Sequence, residues 1–255
     1  MNSIDLNCDM GESYGSRIVG DDAAIMPFIS SANIACGYHG GDPQVIHNTI
    51  KLALKFGVAI GAHPSFHDLE NFGRVEKQID KEELFDLIVY QVSALSGFAR
   101  INNAKLSHVK PHGALYNMAA RDHIYAMTIA EAVKAIDPEL ILVGLAGSKS
   151  IEAARSIGLK TCSEVFADRT YQEDGSLTPR TNPGAMIKDP GLAVEQVLMM
   201  VEKDEVKTVN GKIIKVKAQS VCIHGDTPGA ADFAKAIRKG LEQKGIVIRS
   251  FKSGE

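Results

Sequence analysis

The chain has 255 residues, of which 45% are hydrophobic and 23% are charged, and this composition excludes a disordered or collagen-like protein. The chain has 28 lysines and arginines and 31 aspartates and glutamates, which gives a net charge of −3. The basic residues do not cluster into a dense stripe along the sequence. We therefore expect no nucleic-acid partner. The four cysteines, Cys8, Cys36, Cys162 and Cys222, form no C-x-x-C pair, which predicts reduced core residues.

The amino terminus carries acids where a signal peptide needs basic residues, as Asp5 illustrates. No apolar stretch is expected to reach the length of a membrane-spanning helix. The sequence therefore predicts a cytoplasmic protein with no membrane partner.

Apolar segments of strand length alternate with longer helical patterns along the chain, which is typical of βαβ units and a parallel sheet. No G-x-G-x-x-G or P-loop motif marks a nucleotide-binding open sheet, so a parallel (β/α) barrel is favoured. No linker divides the chain, and we expect one domain over residues 1–255. The predicted strands are residues 4–9, 32–36, 58–63, 106–112, 140–145, 159–166 and 219–224, with 246–248 as a weak eighth.

Helix starts are predicted where a capping side chain stands before a proline, at Asp42, Asp189 and Thr227. Asp80, three residues before Glu83, has the spacing of a capping box. Residues 207–215 break the alternation and predict a small β-hairpin with Asn210-Gly211 as a two-residue turn.

Polar residues collect at the carboxyl ends of the predicted strands. In a parallel barrel these ends meet at one rim, where such folds carry out their chemistry. The recurrence therefore predicts one polar pocket. Its candidate residues are Asp9, Glu12, His39, Asp42, His63, His67, Lys110, His112, Glu164, Asp168, Arg169, His224 and Asp226.

The first strand places Asp5, Asn7 and Asp9 on one face, which in a barrel is the lumen. Two interpretations of Asp9 remain open, a functional carboxylate and one member of a hydrogen-bonded polar plug. Likewise, Lys110 and His112 suit an anion anchor and a proton-transfer group, or a lysine and a histidine with structural roles only.

Asp9, His39 and His63, with His67 as a further candidate, are the set that a divalent cation would use. Metal-free acid–base and hydrogen-bonding roles are the alternative for the same side chains. Pro64 makes a continuous helix between the last two histidines improbable.

Two connections after strands are unusually long, residues 64–79 and 167–188, and loops of this length are commonly lids or binding loops. They contain Arg74, Arg169 and Arg180, whose guanidinium groups can pair with a carboxylate or a phosphate. Arginines in loops are also often simply solvated.

Several ordered blocks together resemble the LamB/YcsF family of bacterial 5-oxoprolinase subunits. They run from the first strand through the segments that end at His39, Phe66 and Gly113, and on to Arg169 and the His224-Gly225-Asp226 stretch. The resemblance covers essentially the full length. It implies a seven-stranded, incomplete barrel of the glycoside hydrolase/deacetylase type.

The resemblance also implies an activity: 5-oxo-L-proline, ATP and two waters give L-glutamate, ADP and phosphate, with two further subunits, B and C. ATP, with Mg, would be a co-substrate of the complex, and no nucleotide motif assigns it to this chain. The reaction needs a base, a group that stabilises an oxyanion and an anchor for the substrate carboxylate.

We assign these roles from chemistry. Asp9 is the candidate base, with His63 or His112 relaying protons and Lys110 stabilising negative charge. Glu12, Arg169 and His224 are candidate substrate-binding residues. Two alternatives remain, a divalent-metal deacetylase of an N-acyl sugar that uses Asp9 with His39 or His63, and a non-catalytic binding subunit.

Overall fold

Seven parallel strands form a closed barrel in the computed structural model, which describes residues 3–226 and 229–250. Each strand pairs with its neighbour. The last strand of the ring (Ser220–Ile223) pairs with both the sixth (Lys160–Phe166) and the first (Ser3–Met10), so the ring closes without an eighth strand. The prediction of a seven-stranded parallel (β/α) barrel is confirmed. Its strands are β1 (Ser3–Met10), β2 (Ser31–Ala35), β3 (Ala59–His63), β4 (His108–Val109), β5 (Ile141–Leu145), β6 (Lys160–Phe166) and β9 (Ser220–Ile223).

Most of the helix starts predicted from capping residues are present in the structure. The side chains of Asp42, Asp80 and Asp189 each accept a backbone N–H of the first helical turn. The predicted cap at Thr227 lies outside the described residues. The helices are α1 (Asp22–Ile25) with a 3-10 turn (Met26–Phe28), α2 (Pro43–Phe56), α3 (Lys81–Ile101), α4 (Gly113–Arg121), α5 (His123–Ile136), α6 (Lys149–Ser156), α7 (Pro190–Lys203) and α8 (Ala230–Gln243).

Helix α3 corrects one sequence expectation. It has 21 residues and a mean hydropathy of 1.3 over its most apolar window, so by length and composition it could cross a membrane. In the fold its inner face is buried, with Leu84, Ile88, Val92 and Leu95 at 0–1% exposure. The apolar character that the prediction overlooked belongs to a helix that packs against the barrel.

The predicted hairpin is present as β7 (Glu205–Lys207) and β8 (Ile213–Lys215), but its turn differs from the expected two-residue type. Thr208 N–H donates to the carbonyl of Lys212, and only Gly211 of the central pair has positive φ, at 86°. The loop therefore has three residues between its closing pair, with glycine in the left-handed position. A last short strand, β10 (Val247–Ile248), pairs with the start of β1.

Alternation along β1 separates the two environments that the sequence predicted. Leu6, Cys8 and Met10 belong to the apolar core between the strands and the helices. Asp5 and Asn7 make hydrogen bonds inside the ring, where hydroxyls of Ser31 and Ser220 donate to the Asp5 carboxylate. Burial raises the pKa of Asp5 to about 6 despite these hydrogen bonds. All four cysteines are free and buried, as expected.

Candidate active site

The carboxyl ends of the strands open into a cavity of about 1030 Å³. Polar residues from different strands therefore meet at one end of the barrel, as expected of a parallel barrel. His39 lies behind this lining, and His67 is exposed and packs on Tyr38. The sequence-predicted residues that line the cavity are Asp9, Glu12, His63, Arg74, Lys110, His112, Arg169, Arg180, His224 and Asp226.

Lys110, which follows strand β4, sits at the floor of the cavity with its ammonium group buried at 2% residue exposure. Its Nζ lies 2.9 Å from Asp9 Oδ1 and 3.0 Å from Glu164 Oε1. Burial by itself would lower the pKa of Lys110, but the two carboxylates hold that pKa well above its ordinary value. Lys110 is therefore a fixed positive charge at the floor.

Asp9 lies near the end of β1 and points into the barrel. Its carboxylate contacts Lys110 and two other side chains. Its Oδ1 also accepts from Asn33 Nδ2 at 2.8 Å, and its Oδ2 lies 3.3 Å from His63 Nε2. Burial disfavours the ionised form, yet His63 and Lys110 keep the pKa of Asp9 well below its ordinary value. Asp9 is therefore held as a carboxylate.

Three histidines and Glu12 form a second cluster beside Asp9. His63 Nε2 is 2.9 Å from His112 Nδ1, and Glu12 Oε1 is 3.4 Å from that same Nδ1. His39 Nε2 lies 3.1 Å from Glu12 Oε1. Burial lowers the pKa of His39 and of His112 well below the usual range, so both rings are neutral near pH 7.

Backbone carbonyls fix which nitrogen of two of these rings carries the proton. His63 Nδ1 lies 2.7 Å from the Lys110 carbonyl, and His112 Nε2 lies 2.9 Å from the Phe72 carbonyl. A carbonyl can only accept, so both of these nitrogens are donors. The two facing nitrogens, His63 Nε2 and His112 Nδ1, are then the positions that remain for a proton or a metal ion.

The first long loop, residues 64–79, supplies the Phe72 carbonyl that orients His112, and the backbone of the loop is strained at that residue. Phe72 has φ of 56°, a region that bulky residues rarely adopt, and such strain clusters at functional sites. A side chain at the next residue, Gly73, would meet Ser65 Oγ at 2.2 Å and His112 at 3.0 Å. The loop therefore packs directly on the histidine cluster.

Asp168, two residues after the end of β6, pairs with His224, which lines the cavity. Both carboxylate oxygens accept from His224 Nδ1, at 2.9 and 2.7 Å. Burial opposes ionisation of Asp168, but His224 lowers the pKa of that carboxyl below its ordinary value. Within the described residues His224 Nε2 has no hydrogen-bond partner, and the residue faces the cavity.

Arg169 is the most buried arginine of the two long loops, at 6% exposure. Its Nη2 donates to the Thr178 carbonyl, while its Nε is buried without a hydrogen-bond partner among the described groups. Burial, reinforced by the charge of Arg180, lowers the pKa of Arg169 to about 10. In contrast, Arg74 pairs with Asp226 at 2.5 Å, and Arg180 is exposed.

Three buried partners were not assigned a role from the sequence: Glu164, Asp168 and Asn33. The two acids stand at or just after the end of β6, and that position alone was a usable signal. The pairing of Glu164 with Lys110, and of Asp168 with His224, depends on which strands are neighbours in the ring. Asn33 points inward from the middle of β2, where sequence position gives no indication of function.

Of the predicted metal set, His39 and His63 belong to a group of four possible ligands, whose other members are Glu12 and His112 rather than Asp9. Asp9 falls instead in a group with Cys222 and His224. Burial raises the pKa of the Cys222 thiol well above its ordinary value, and the Lys110 ammonium lies 3.1 Å from Cys222 Sγ. The second group is therefore poorly suited to a cation.

Known proteins similar to this chain share its full length. The A subunit of 5-oxoprolinase from Bordetella parapertussis is 55% identical over 248 residues, with 97% of this chain and 98% of the relative covered. That of Tolumonas auensis is 52% identical over 250 residues, covering 98% and 100%.

Solved structures agree. The lactam utilization protein of Thermus thermophilus superposes with a TM-score of 0.93 at 46% identity, covering 98% of this chain and all of that one. A putative cellobiose-phosphate cleavage protein of Enterococcus faecalis, at 12% identity and a TM-score of 0.62, shares the fold alone. The model of the LamB/YcsF family matches residues 4–255. The chain belongs to the LamB/YcsF family.

Proposed function

We propose that this chain is the A subunit of a 5-oxoprolinase, a hydrolase that opens the cyclic amide of 5-oxo-L-proline to give L-glutamate. Relatives named as the A subunit of that enzyme match the chain from end to end at 52–55% identity. The observation within this molecule that carries the proposal is the cavity floor. There a buried ammonium, a fixed carboxylate and an Asp–His pair surround one space.

The chemistry explains why ATP is needed. A five-membered lactam has a resonance-stabilised amide, and the amine released by hydrolysis lies close enough to reclose the ring. Phosphorylation of the lactam oxygen by ATP removes that stabilisation and releases ADP. One water then adds to the ring carbon and the C–N bond breaks to give an acyl phosphate, and a second water releases phosphate.

His224 is the group best placed to take a proton from the attacking water. Asp168 accepts from Nδ1, so that Nδ1 carries the proton and Nε2 presents a lone pair to the cavity. The sequence favoured Asp9 as the base. Asp9 has its pKa held low and both oxygens engaged, which suits a structural anion better than a base.

Lys110 and Arg169 are proposed to handle negative charge. The ammonium of Lys110 is positioned to stabilise the oxyanion that forms when water adds to the ring carbon. Arg169 lines the cavity with a buried, unpartnered Nε, and a guanidinium pairs well with the free carboxylate of the substrate. Glu12, His63 and His112 also line the cavity.

The cavity also bears on the partners. Its volume of about 1030 Å³ reaches the upper end of the range of about 300–1,000 Å³ for small-molecule pockets, far more than one five-membered ring acid fills. We propose that subunits B and C bind ATP with Mg and phosphorylate the lactam. This chain then opens the phosphorylated lactam inside the barrel mouth, so that this unstable intermediate is not released into bulk water.

Reconstitution tests the proposal. The purified chain, a mixture of subunits B and C, and all three together are each given 5-oxo-L-proline and ATP, and glutamate and ADP are measured. We expect glutamate only from the three-subunit mixture. An N-acetylated sugar, offered to the chain with Zn²⁺, serves as the comparison for the deacetylase alternative.

Each outcome has a clear meaning. Glutamate formation by subunits B and C alone would reduce this chain to a non-catalytic binding subunit. Acetate release from the sugar without lactam opening would favour the deacetylase. ATP hydrolysis by the isolated chain that depends on 5-oxoproline would place the nucleotide site here and contradict the division of labour.

A further inference from the structure

The wall of the cavity has an unusual feature, two imidazole nitrogens that face each other at hydrogen-bond distance. His63 Nε2 and His112 Nδ1 lie 2.9 Å apart, with the ring planes at 87°. The second nitrogen of each ring donates to a main-chain carbonyl, so the facing nitrogen of each ring is the one left to bind a proton or a metal ion. At this distance one cation between the two nitrogens would contact both.

Glu12 completes a set of ligand atoms around the same point. Its Oε1 lies 3.4 Å from His112 Nδ1, and the edge of a tetrahedron with metal–ligand bonds of about 2.0–2.1 Å is roughly 3.4 Å. All three residues line the cavity.

The outer hydrogen bonds match those of metal-binding histidines. A ligating histidine ordinarily donates its other ring N–H to a carbonyl or carboxylate, which fixes the ring and its tautomer. His63 does so to the Lys110 carbonyl and His112 to the Phe72 carbonyl, each within 2.9 Å. The strained φ of Phe72 places that second carbonyl.

His39 is close but differs from the other two histidines. Its ring is parallel to that of His112, at an interplanar angle of 1° and a centroid distance of 3.7 Å. A ligand bond lies in the plane of the imidazole ring, so one ion cannot lie in the planes of two rings stacked in this way. His39 Nε2 instead contacts Glu12 Oε1 at 3.1 Å, which makes it a positioning residue for the carboxylate.

We propose that Glu12, His63 and His112 bind one divalent transition-metal ion, with His39 holding Glu12 and an open coordination position toward the cavity. Two imidazoles and one carboxylate form a ligand set typical of Zn²⁺, and three protein ligands with one open position are the pattern of catalytic zinc sites. Such an ion would polarise a bound oxygen at the cavity wall. The inference does not depend on the lactam reaction.

Metal binding itself is the test, with Zn²⁺ and Co²⁺ as probes. The purified chain is stripped with a chelator, reloaded, desalted and analysed for metal content, and affinity is measured by competition with a chromophoric chelator. We expect one equivalent of Zn²⁺ per chain. The visible spectrum of the Co²⁺ form should report a low coordination number with nitrogen and oxygen ligands.

Variants separate ligands from their neighbours. His112→Gln and Glu12→Gln should each lose stoichiometric binding, with circular dichroism checking the fold. His39→Ala should keep one equivalent and the Co²⁺ spectrum, with affinity lower by about 10- to 100-fold, as is typical when an outer partner of a ligand is lost. His67→Ala, an exposed histidine outside the cluster, is the matched control and should bind as the parent does.

Three results would overturn the proposal. One is the absence of Zn²⁺ and Co²⁺ binding by the folded parent, which would mean that a proton rather than a metal joins His63 and His112. Another is complete loss of binding in His39→Ala with the fold intact, which would make His39 a ligand. The third is unchanged binding in His112→Gln. Since the readout is metal content, none of these results depends on whether the lactam is the substrate.

Discussion

Asp168 holds the His224 ring through both of its carboxylate oxygens, at 2.9 and 2.7 Å from the same Nδ1. Asp168 is the second residue after β6 and His224 the first after β9, so the pair joins two strands that are neighbours only because the barrel closes in this order. The contact fixes the proton on Nδ1 and leaves Nε2 as the acceptor that faces the cavity.

Asp168→Asn tests this relationship. An amide at this position can donate to Nδ1 and so stabilise the wrong tautomer, with the proton on Nε2. We expect kcat for lactam opening by the three-subunit enzyme to fall by about 100-fold or more, with KM changed little, because a positioned base typically contributes about 10²–10⁴. Asp86→Asn, an exposed substitution on α3, should leave both constants unchanged. A KM effect alone would indicate that His224 binds substrate instead.

Lys110→Met tests the buried charge network. The substitution leaves Asp9 and Glu164 as two buried carboxylates without their shared ammonium. Breaking a buried ion pair on one side costs about 3–5 kcal/mol, so the urea midpoint should fall sharply. Adding Glu164→Gln to Lys110→Met should recover part of the lost stability, since one of the two uncompensated charges is then gone.

The matched control for Lys110 is Lys160→Met, which breaks the exposed pair with Glu139 and should cost less than about 1 kcal/mol. A loss for Lys110→Met as small as that of the control would contradict the network. If Lys110→Met does not accumulate as folded protein, the double variant Lys110→Met/Glu164→Gln should still give folded protein. That recovery would also support the network.

Arg169→Lys tests the proposed carboxylate anchor. Lysine keeps the charge and loses the planar fork, so KM for 5-oxoproline should rise by about 10- to 100-fold, equivalent to roughly 1–3 kcal/mol of charged hydrogen bonding. Because Arg169 also donates to the Thr178 carbonyl, limited proteolysis of the loop without substrate should be compared with the parent. Arg155→Lys, on the surface of α6, is the control. An unchanged KM would remove Arg169 from the substrate site.

Sequence reasoning located the fold and most of the cavity lining because both depend on periodicities that the chain carries locally. Strand length and the position after a strand place Lys110 or His224 at the rim without any knowledge of pairing. The assignment of partners needed the ring order. The tautomers of His63 and His112 depend on carbonyls of Lys110 and Phe72, and no pattern of residue types predicts a main-chain contact of that kind.

The turn of the small hairpin shows a local limit of the same reasoning. Asn210-Gly211 predicted two residues of positive φ, and the strand register placed only Gly211 in that conformation. The expectation about apolar stretches overlooked α3, whose charges concentrate at its two ends and leave a long apolar middle. In the fold, one face of that stretch is buried.

Asp5 provides a prediction about stability and pH. Its carboxyl lies inside the ring at 2% exposure, and burial raises its pKa from 3.8 to about 6. A group that binds its proton more tightly in the folded state stabilises the fold fully below its unfolded pKa, and that contribution is lost as the pH rises through the folded value. Between pH 4 and 7 Asp5 should therefore lower the free energy of unfolding by roughly 2.5 kcal/mol.

Asp5→Asn removes this titration and keeps one oxygen that can accept from Ser31 or Ser220, while the amide NH2 can donate to the other hydroxyl. Urea unfolding of parent and variant across this pH range gives two stability curves, in whose difference the other titrating groups cancel. From pH 4 to pH 7 we expect the free energy of unfolding of the variant to rise by roughly 2.5 kcal/mol relative to that of the parent, with the change centred between the two pKa values. Asp86→Asn, fully outside the ring, should show a constant difference. A difference for Asp5→Asn that is equally flat, or that falls as the pH rises, would mean that the hydroxyls around Asp5 compensate its burial.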